Sequence, residues 1–172
     1  MPAGRTRSQD ARADRAARRR RSVVTALDER ELLRGDAPFV ADTSAWWRVA
    51  SLPGDLGALV QEAVLADRLW ITPIVRMEIL YSARSSTEYV ALELELDALR
   101  ILRDDRSVAD SAMRALGELA ERSNGYHRVP VTDALIAAAA AAHGGLAVLH
   151  RDTHFNRLAE VLAFQSVELS AG

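Results

Sequence analysis

The stretch VPVTDALIAAAAAAHGGLAVLH, residues 129–150, decides the fold of this chain. Its alanine-rich middle has high helix propensity, with Thr132-Asp133 at the entry of the helix and Gly144-Gly145 at its end. The apolar residues that follow, 146–150, predict a buried strand. A helix that leads within two residues into a buried strand is typical of a chain in which helices and strands alternate.

The same alternation continues outward on both sides of this stretch. Short apolar runs predict further strands, and the segments between them predict helices. Because helices that connect parallel strands cover both faces of the sheet, the pattern predicts an α/β fold, a three-layer α/β/α domain with a mostly parallel central sheet. The further strands are predicted at 39–42, 70–72, 99–102 and 164–169, and the further helices at 44–68 with a break at Pro53-Gly54, 73–84, 86–99, 107–123 and briefly from His154.

The charge is distributed unevenly along the chain. Residues 1–21 carry eight arginines against Asp10 and Asp14, a net charge of +6, and they contain almost no large apolar side chains. Such a segment cannot offset the entropy of ordering, so we expect 1–38 to be a basic N-terminal extension, disordered over 1–21 and partly helical over 22–38. The remaining residues carry 14 arginines against 22 acids, a net charge of −8. An acidic domain that acts on a polyanion such as RNA needs cations bound at specific sites.

Two residue types are missing, and their absence excludes several classes of function. The chain has no cysteine, which excludes disulfides, thiolate catalysis and sulfur-ligated zinc. It also has no lysine, which excludes a P-loop lysine and Schiff-base chemistry. No run approaches the roughly 18 apolar residues that span a bilayer, and no apolar stretch follows the basic N-terminus as in a secretory signal. We therefore expect a cytoplasmic protein without a membrane partner.

Four acidic residues occupy positions where α/β proteins place their functional sites. Asp42 and Asp152 follow predicted strands, and open parallel sheets bind ligands at the carboxyl ends of their strands. Asp133 lies at the entry of the alanine-rich helix, and Glu78 lies in the second turn of the helix opened by Pro73. Three of them also have a purely structural interpretation: Asp133 as a helix cap, Asp152 as a turn residue and Glu78 as part of a solvated helix face. Asp42 is harder to explain in this way, because an aspartate between a buried strand and a helix is a common functional position.

Taken together, the four acids would form a strongly repelling group if the fold brings them close. Carboxylates 4 Å apart repel each other by about 4 kcal/mol at an effective dielectric constant near 20. Such a group must bind protons or share a divalent cation, and an all-oxygen ligand set suits Mg²⁺ or Mn²⁺. A site of this kind activates water and stabilises charge on a phosphodiester. Spacing alone does not establish that the four side chains converge.

The order and context of these residues resemble the PIN-domain ribonucleases, especially the VapC toxins of type II VapBC toxin–antitoxin systems. The resemblance covers about residues 39–169 and implies a PIN-like nuclease domain over 39–172. The pieces that match, in order along the chain, are Val40-Ala-Asp42-Thr-Ser44, Pro73-Ile-Val-Arg-Met-Glu78-Ile-Leu, Val131-Thr-Asp133-Ala-Leu-Ile-Ala and Leu149-His-Arg-Asp152-Thr-His-Phe155.

The resemblance implies a function and a set of functional residues. The function is a Mg²⁺- or Mn²⁺-dependent endoribonuclease, a toxin that cleaves RNA and inhibits translation, usually forms a homodimer and is inactivated by a cognate antitoxin protein. The family often has a second aspartate before the phenylalanine of the last motif, where this chain has His154. The residues carried over are Asp42, Glu78, Asp133 and Asp152 as catalytic metal-binding acids, with Ser44 and Thr132 as supporting polar groups.

Other interpretations of the same residues remain open. A non-catalytic acidic binding module would use the acids as caps and surface charges. An aspartate-based phosphoryl-transfer domain would use Asp42, but the haloacid-dehalogenase type needs Asp-x-Asp, where this chain has Ser44, and such domains typically use a lysine. His150 and His154 are four residues apart, the spacing of two zinc ligands on one helix. A strand-to-turn break between them argues against helical geometry, and no HExxH motif surrounds them.

Overall fold

The computed structural model describes residues 27–49, 52 and 54–169, and in this part of the chain one five-stranded parallel sheet forms the centre of the fold. The predicted α/β fold with a mostly parallel sheet is confirmed. The basic segment 1–21, residues 22–26 and the last three residues lie outside the described residues. The strands, in the spatial order β3-β2-β1-β4-β5, are β1 at Phe39–Ala41, β2 at Leu69–Ile71, β3 at Arg100–Ile101, β4 at Ala147–His150 and β5 at Gln165–Glu168.

The helices flank this sheet and connect its strands. Side-chain caps explain several of their start points: Thr72 Oγ1 accepts from the Val75 N–H (3.2 Å) ahead of Pro73, and Asp105 accepts from two backbone N–H groups. The helices are α1 at Glu29–Arg34, α2 at Thr43–Val49, α3 at Gly54–Leu65, α4 at Pro73–Tyr81, α5 at Ser86–Asp97, α6 at Arg106–Arg122, α7 at Val131–Ala142 and α8 at His154–Leu158.

Most element boundaries shift by one to three residues from the sequence-based predictions, and two of the differences have a clear local cause. Helix α4 ends at Tyr81 rather than near 84, because the backbone N–H and hydroxyl of Ser82 both donate to the Ile79 carbonyl and close the last turn. The spacing Ser85-x-x-Glu88 predicts a capping box for α5, and Ser85 does cap the helix by accepting from the Glu88 N–H (3.1 Å). The Glu88 carboxylate, however, accepts from the Arg84 N–H (2.7 Å), one residue earlier than a reciprocal capping box requires.

Strand residues alternate between two apolar clusters, one on each face of the sheet. Val40 and Val148 belong to the cluster that contains α6 and α7, whereas Phe39 and Leu149 belong to the cluster that contains α3. Leu32 and Leu33 of α1 are buried in this second cluster. The alanines 137–140 are fully buried, and α7 makes its most extensive contact with α6, because short side chains let two helices approach closely.

The chain order reverses at β1, and this reversal determines where a site can form. β1 pairs with β2 on one side (Phe39 with Leu69) and with β4 on the other (Phe39 with Ala147), so a crevice opens beyond its carboxyl end. Asp42 directly follows β1, and residues 151–153 directly follow β4. Across 27–49 and 54–169, none of the helices combines the length and apolarity needed to cross a membrane.

Candidate metal centre

Asp42, directly after β1, is held in position by the first turn of α2. Its side chain is buried, and Oδ2 accepts hydrogen bonds from the Ser44 N–H (3.0 Å) and the Ser44 hydroxyl (2.6 Å). The Ser44 Oγ in turn accepts from the Arg151 N–H (3.1 Å). Ser44 therefore connects the end of β1 to the turn after β4, two segments that are more than a hundred residues apart in the sequence.

Asp133 is not a helix cap. Helix α7 begins at Val131 with Pro130 at the cap position, where the described residues show no side-chain hydrogen bond to the helix start. Asp133 is thus the third residue of the helix and is 8% exposed, and its Oδ2 is buried without a hydrogen-bond partner among the described residues. An acceptor oxygen in this state needs a proton or a cation.

The pKa of Asp133 reflects this environment. Burial and then the negative charges of Asp42 and Asp152 raise the pKa of this carboxyl from 3.8 to about 6, while His154 opposes the rise. Asp133 therefore lies close enough to Asp42 and Asp152 to interact electrostatically with both, whereas the convergence of all four acids stays a prediction.

Asp152 and His154 complete this side of the site. The Asp152 Oδ1 accepts from the His154 backbone N–H (2.9 Å) and lies 2.8 Å from His154 Nδ1. The same Nδ1 lies 3.4 Å from Asp133 Oδ2. One ligand atom from each of Asp133, Asp152 and His154 falls within 4.8 Å of the other two, a spacing that one metal ion can span.

Glu78 is connected to Asp42 through a hydrogen bond with the neighbouring residue, Thr43. It is half-buried on α4, and its Oε2 accepts a hydrogen bond from the hydroxyl of Thr43, the residue after Asp42. Neither Glu78 nor Asp42 belongs to the close group of ligand atoms found among the described residues, which consists of Asp133, Asp152 and His154. Thr132 is half-exposed, directly before Asp133 on α7.

The structure also identifies residues to which the sequence-based argument assigned no supporting role. The position of Thr43 between Asp42 and Ser44 is a sequence signal that could have pointed to it. Its hydrogen-bond partner, Glu78, lies 35 residues away along the chain, so the contact itself could not be predicted. His154 enters the sequence analysis as a departure from the family pattern and as one half of an unfavoured zinc pair with His150. His150 does not pair with it: its ring is buried, stacks on Phe155 with centroids 4.7 Å apart, and its Nε2 lies 2.6 Å from Ser166 Oγ. Burial lowers the pKa of His150.

The donor set fits a hard divalent cation. Carboxylate oxygens are the ligands that Mg²⁺ and Mn²⁺ prefer, and an ion would neutralise the charges that raise the pKa of Asp133. The buried, unpartnered Asp133 Oδ2, in the part of the chain that the structure describes, is the atom that most needs such a ligand.

Comparisons with known proteins give a consistent picture. The family model of the PIN domain matches residues 39–161. The chain is 38% identical over 124 residues to ribonuclease VapC18 of Mycobacterium tuberculosis, covering 72% of this chain and 88% of that protein. It is 35% identical over 135 residues to ribonuclease VapC17 of the same species, covering 78% and 97%.

Solved structures share the fold. The crystal structure of DNA-bound VapBC from Salmonella typhimurium contains a chain that aligns with a TM-score of 0.61 at 20% identity, over 77% of this chain and 98% of that one. The VapBC-5 toxin–antitoxin structure from Mycobacterium tuberculosis aligns with a TM-score of 0.56 at 24% identity, over 77% and 99%. At these identities the likeness supports the architecture alone.

Proposed function

The chain belongs to the PIN-domain family and, within it, to the VapC ribonucleases, and from this premise we propose that it is a metal-dependent endoribonuclease, the toxin of a VapBC-type toxin–antitoxin pair. The family membership favours this function over a non-catalytic acidic module and over an aspartate-based phosphoryl-transfer domain. RNA is the substrate that the relatives' names as ribonucleases support.

The observation that carries the metal dependence is the state of Asp133. A buried carboxylate oxygen without a partner among the described residues, beside Asp42 and Asp152, is destabilising unless a cation or a proton neutralises it. A bound Mg²⁺ or Mn²⁺ would supply this charge, activate water and neutralise the scissile phosphate. We propose Asp42, Glu78, Asp133 and Asp152 as the acids that hold it.

The surrounding residues have positioning roles in this proposal. Ser44 holds Asp42 and ties it to the turn that carries Asp152, while Thr43 orients Glu78. Thr132 is proposed as a polar neighbour at the start of α7. These contacts fix the positions of the carboxylates despite their mutual repulsion. The ion and the substrate would therefore bind to a preformed site.

The partners follow from the family. Antitoxin complexes with VapC-like folds are named in the solved structures, and we propose a cognate antitoxin as the partner that inactivates this chain, with a homodimer as its assembly. Cleavage of RNA used in translation would take place in the cytoplasm. Because residues 22–172 have a net charge of −8, the bound cation is also what allows an RNA phosphate to approach.

The decisive experiment measures RNA cleavage by the full chain after chelation and metal replacement. We expect EDTA to abolish cleavage and Mg²⁺ or Mn²⁺ to restore it. The Asp42→Asn variant should be inactive and folded, whereas Asp36→Asn, in an exposed turn after α1, is the matched control and should cleave normally. Cleavage that survives exhaustive chelation, or full activity of Asp42→Asn, would contradict the mechanism.

A further inference from the structure

His154 is the one nitrogen-bearing member of the close ligand group that it forms with Asp133 and Asp152 in the described part of the chain. We propose that His154 Nδ1 is itself a metal ligand, so that this centre has a mixed nitrogen and oxygen donor set. The proposal rests on the proposed function as a metal-dependent nuclease and deepens it by assigning the ligand that sets the choice of metal.

The first support is distance. Two ligands about 2.1 Å from the same ion and at right angles to each other are about 3 Å apart. His154 Nδ1 lies 2.8 Å from Asp152 Oδ1 and 3.4 Å from Asp133 Oδ2, so both pairs have the separation of adjacent positions around one ion.

The second support is that both atoms of the longer pair lack a hydrogen bond. His154 Nδ1 and Asp133 Oδ2 are each buried, and neither has a hydrogen-bond partner within the described part of the chain. At 3.4 Å the two atoms form an ion pair when the ring is charged, and a metal ion bound by both atoms satisfies them when the ring is neutral.

The third support is that the backbone of His154 is held beside one of the proposed ligands independently of the ion. Its N–H donates to Asp152 Oδ1 at the start of α8. The side chain of His154 therefore starts from a fixed point next to Asp152, and its Nδ1 lies 2.8 Å from the same oxygen.

A nitrogen ligand changes the expected metal preference. Imidazole binds later divalent transition metals more strongly than it binds Mg²⁺, and affinities rise from Mn²⁺ towards Cu²⁺. We therefore expect this centre to favour Mn²⁺ over Mg²⁺ more strongly than an all-carboxylate centre does. The His154→Asp variant, which replaces the nitrogen ligand with a carboxylate, should lower that preference by about tenfold.

The test is pulsed electron paramagnetic resonance of the full chain loaded with Mn²⁺. We expect a nitrogen hyperfine coupling of directly bound imidazole, which changes on ¹⁵N-histidine labelling and disappears in both His154→Asp and His154→Ala. His127→Ala removes an exposed imidazole and should leave the coupling intact. Calorimetric titration with Mn²⁺ and Mg²⁺ then gives the affinity ratio for each variant.

The outcomes separate this proposal from the proposed function. Bound Mn²⁺ without nitrogen coupling in the wild-type chain, or coupling that persists in His154→Asp, overturns the histidine ligand and leaves metal-dependent cleavage standing. Cleavage without any bound metal overturns the proposed function itself. Circular dichroism establishes that each variant is folded, and the two substitutions at His154 ensure that a folding failure in one does not decide the result.

Discussion

The hydroxyl of Thr43 donates a hydrogen bond to the carboxylate of Glu78 and so joins the start of α2 to the second turn of α4. Glu78 is half-exposed on its helix and would otherwise be free to turn towards solvent. Thr43 also follows Asp42 directly, so one dipeptide supplies a buried carboxylate and the group that orients a second one.

Removing this hydroxyl should weaken catalysis without unfolding the protein. We expect Thr43→Val, which keeps the shape of the side chain, to lower RNA cleavage by about 10- to 100-fold, the usual cost of losing a group that orients a metal-site residue. Thr43→Ser keeps the hydroxyl and is the control. A Thr43→Val enzyme as active as wild type, or an equal loss in both variants, would argue against the orienting role; thermal unfolding midpoints accompany both rate measurements.

Asp133→Asn should separate stability from activity. Because the pKa of Asp133 is about 6 in the folded protein and 3.8 is its ordinary value, the folded state favours the protonated form. Its contribution to stability is therefore fully present below the ordinary pKa and is lost as the pH rises through about 6.

In metal-free protein at pH 7.5, we accordingly expect Asp133→Asn to be more stable than wild type by about 1–3 kcal/mol, with the difference disappearing towards pH 4. Urea unfolding in the presence of a chelator measures it, and cleavage should be lost. Mn²⁺ should stabilise wild type more than the variant. A variant that is less stable than wild type at pH 7.5 would show that the charge of Asp133 is satisfied by the protein alone.

Ser44→Ala should damage the site and the fold together. The variant leaves a buried carboxylate of Asp42 with fewer donors and leaves the Arg151 N–H without its acceptor, at a cost of about 1–3 kcal/mol. Ser107 is a matched control, since its hydroxyl and backbone N–H bond to Asp105 in the same arrangement at an exposed helix start. Ser107→Ala should cost less stability and leave Mn²⁺ affinity unchanged. Equal effects of the two substitutions on Mn²⁺ affinity would contradict the role of Ser44.

The glycine pair before β4 offers a purely structural comparison. Both residues have positive φ, 89° at Gly144 and 75° at Gly145, so alanine at either position costs about 1–2 kcal/mol. A Cβ at Gly145 would also lie 2.9 Å from the Ala163 carbonyl oxygen, whereas at Gly144 it would meet open space. We expect Gly145→Ala to lower the free energy of unfolding more than Gly144→Ala does. Equal losses would indicate that the backbone near Ala163 gives way.

Local sequence patterns predicted the elements well because each depends on neighbouring residues. The strand at 147–150, the break between α2 and α3 and the start of α4 at Pro73 all follow from periodicity and from proline and glycine positions. The helix entry at Asp133 was ambiguous for the same reason: a cap and a ligand have the same local sequence. The proline at 130 takes the cap position and moves Asp133 into the helix.

The contacts of the site depend on tertiary structure and could not be predicted in this way. Thr43 and Glu78 meet only because β1 and β2 are adjacent and parallel. The position of His154 depends on the turn after β4 and on a side-chain torsion that no sequence pattern specifies. The family resemblance named Asp152, but the structure adds that His154 lies between it and Asp133.

The place of β4 beside β1 also has a consequence during synthesis. A nascent chain that has emerged only as far as Gly145 already contains Asp42, Glu78 and Asp133, but it lacks the strand that flanks β1 on one side and the turn whose Arg151 N–H binds Ser44. The crevice can therefore close only when the last part of the chain has left the ribosome. A chain that ends before residue 152 therefore lacks both Asp152 and His154, two of the three residues whose ligand atoms lie within 4.8 Å of one another.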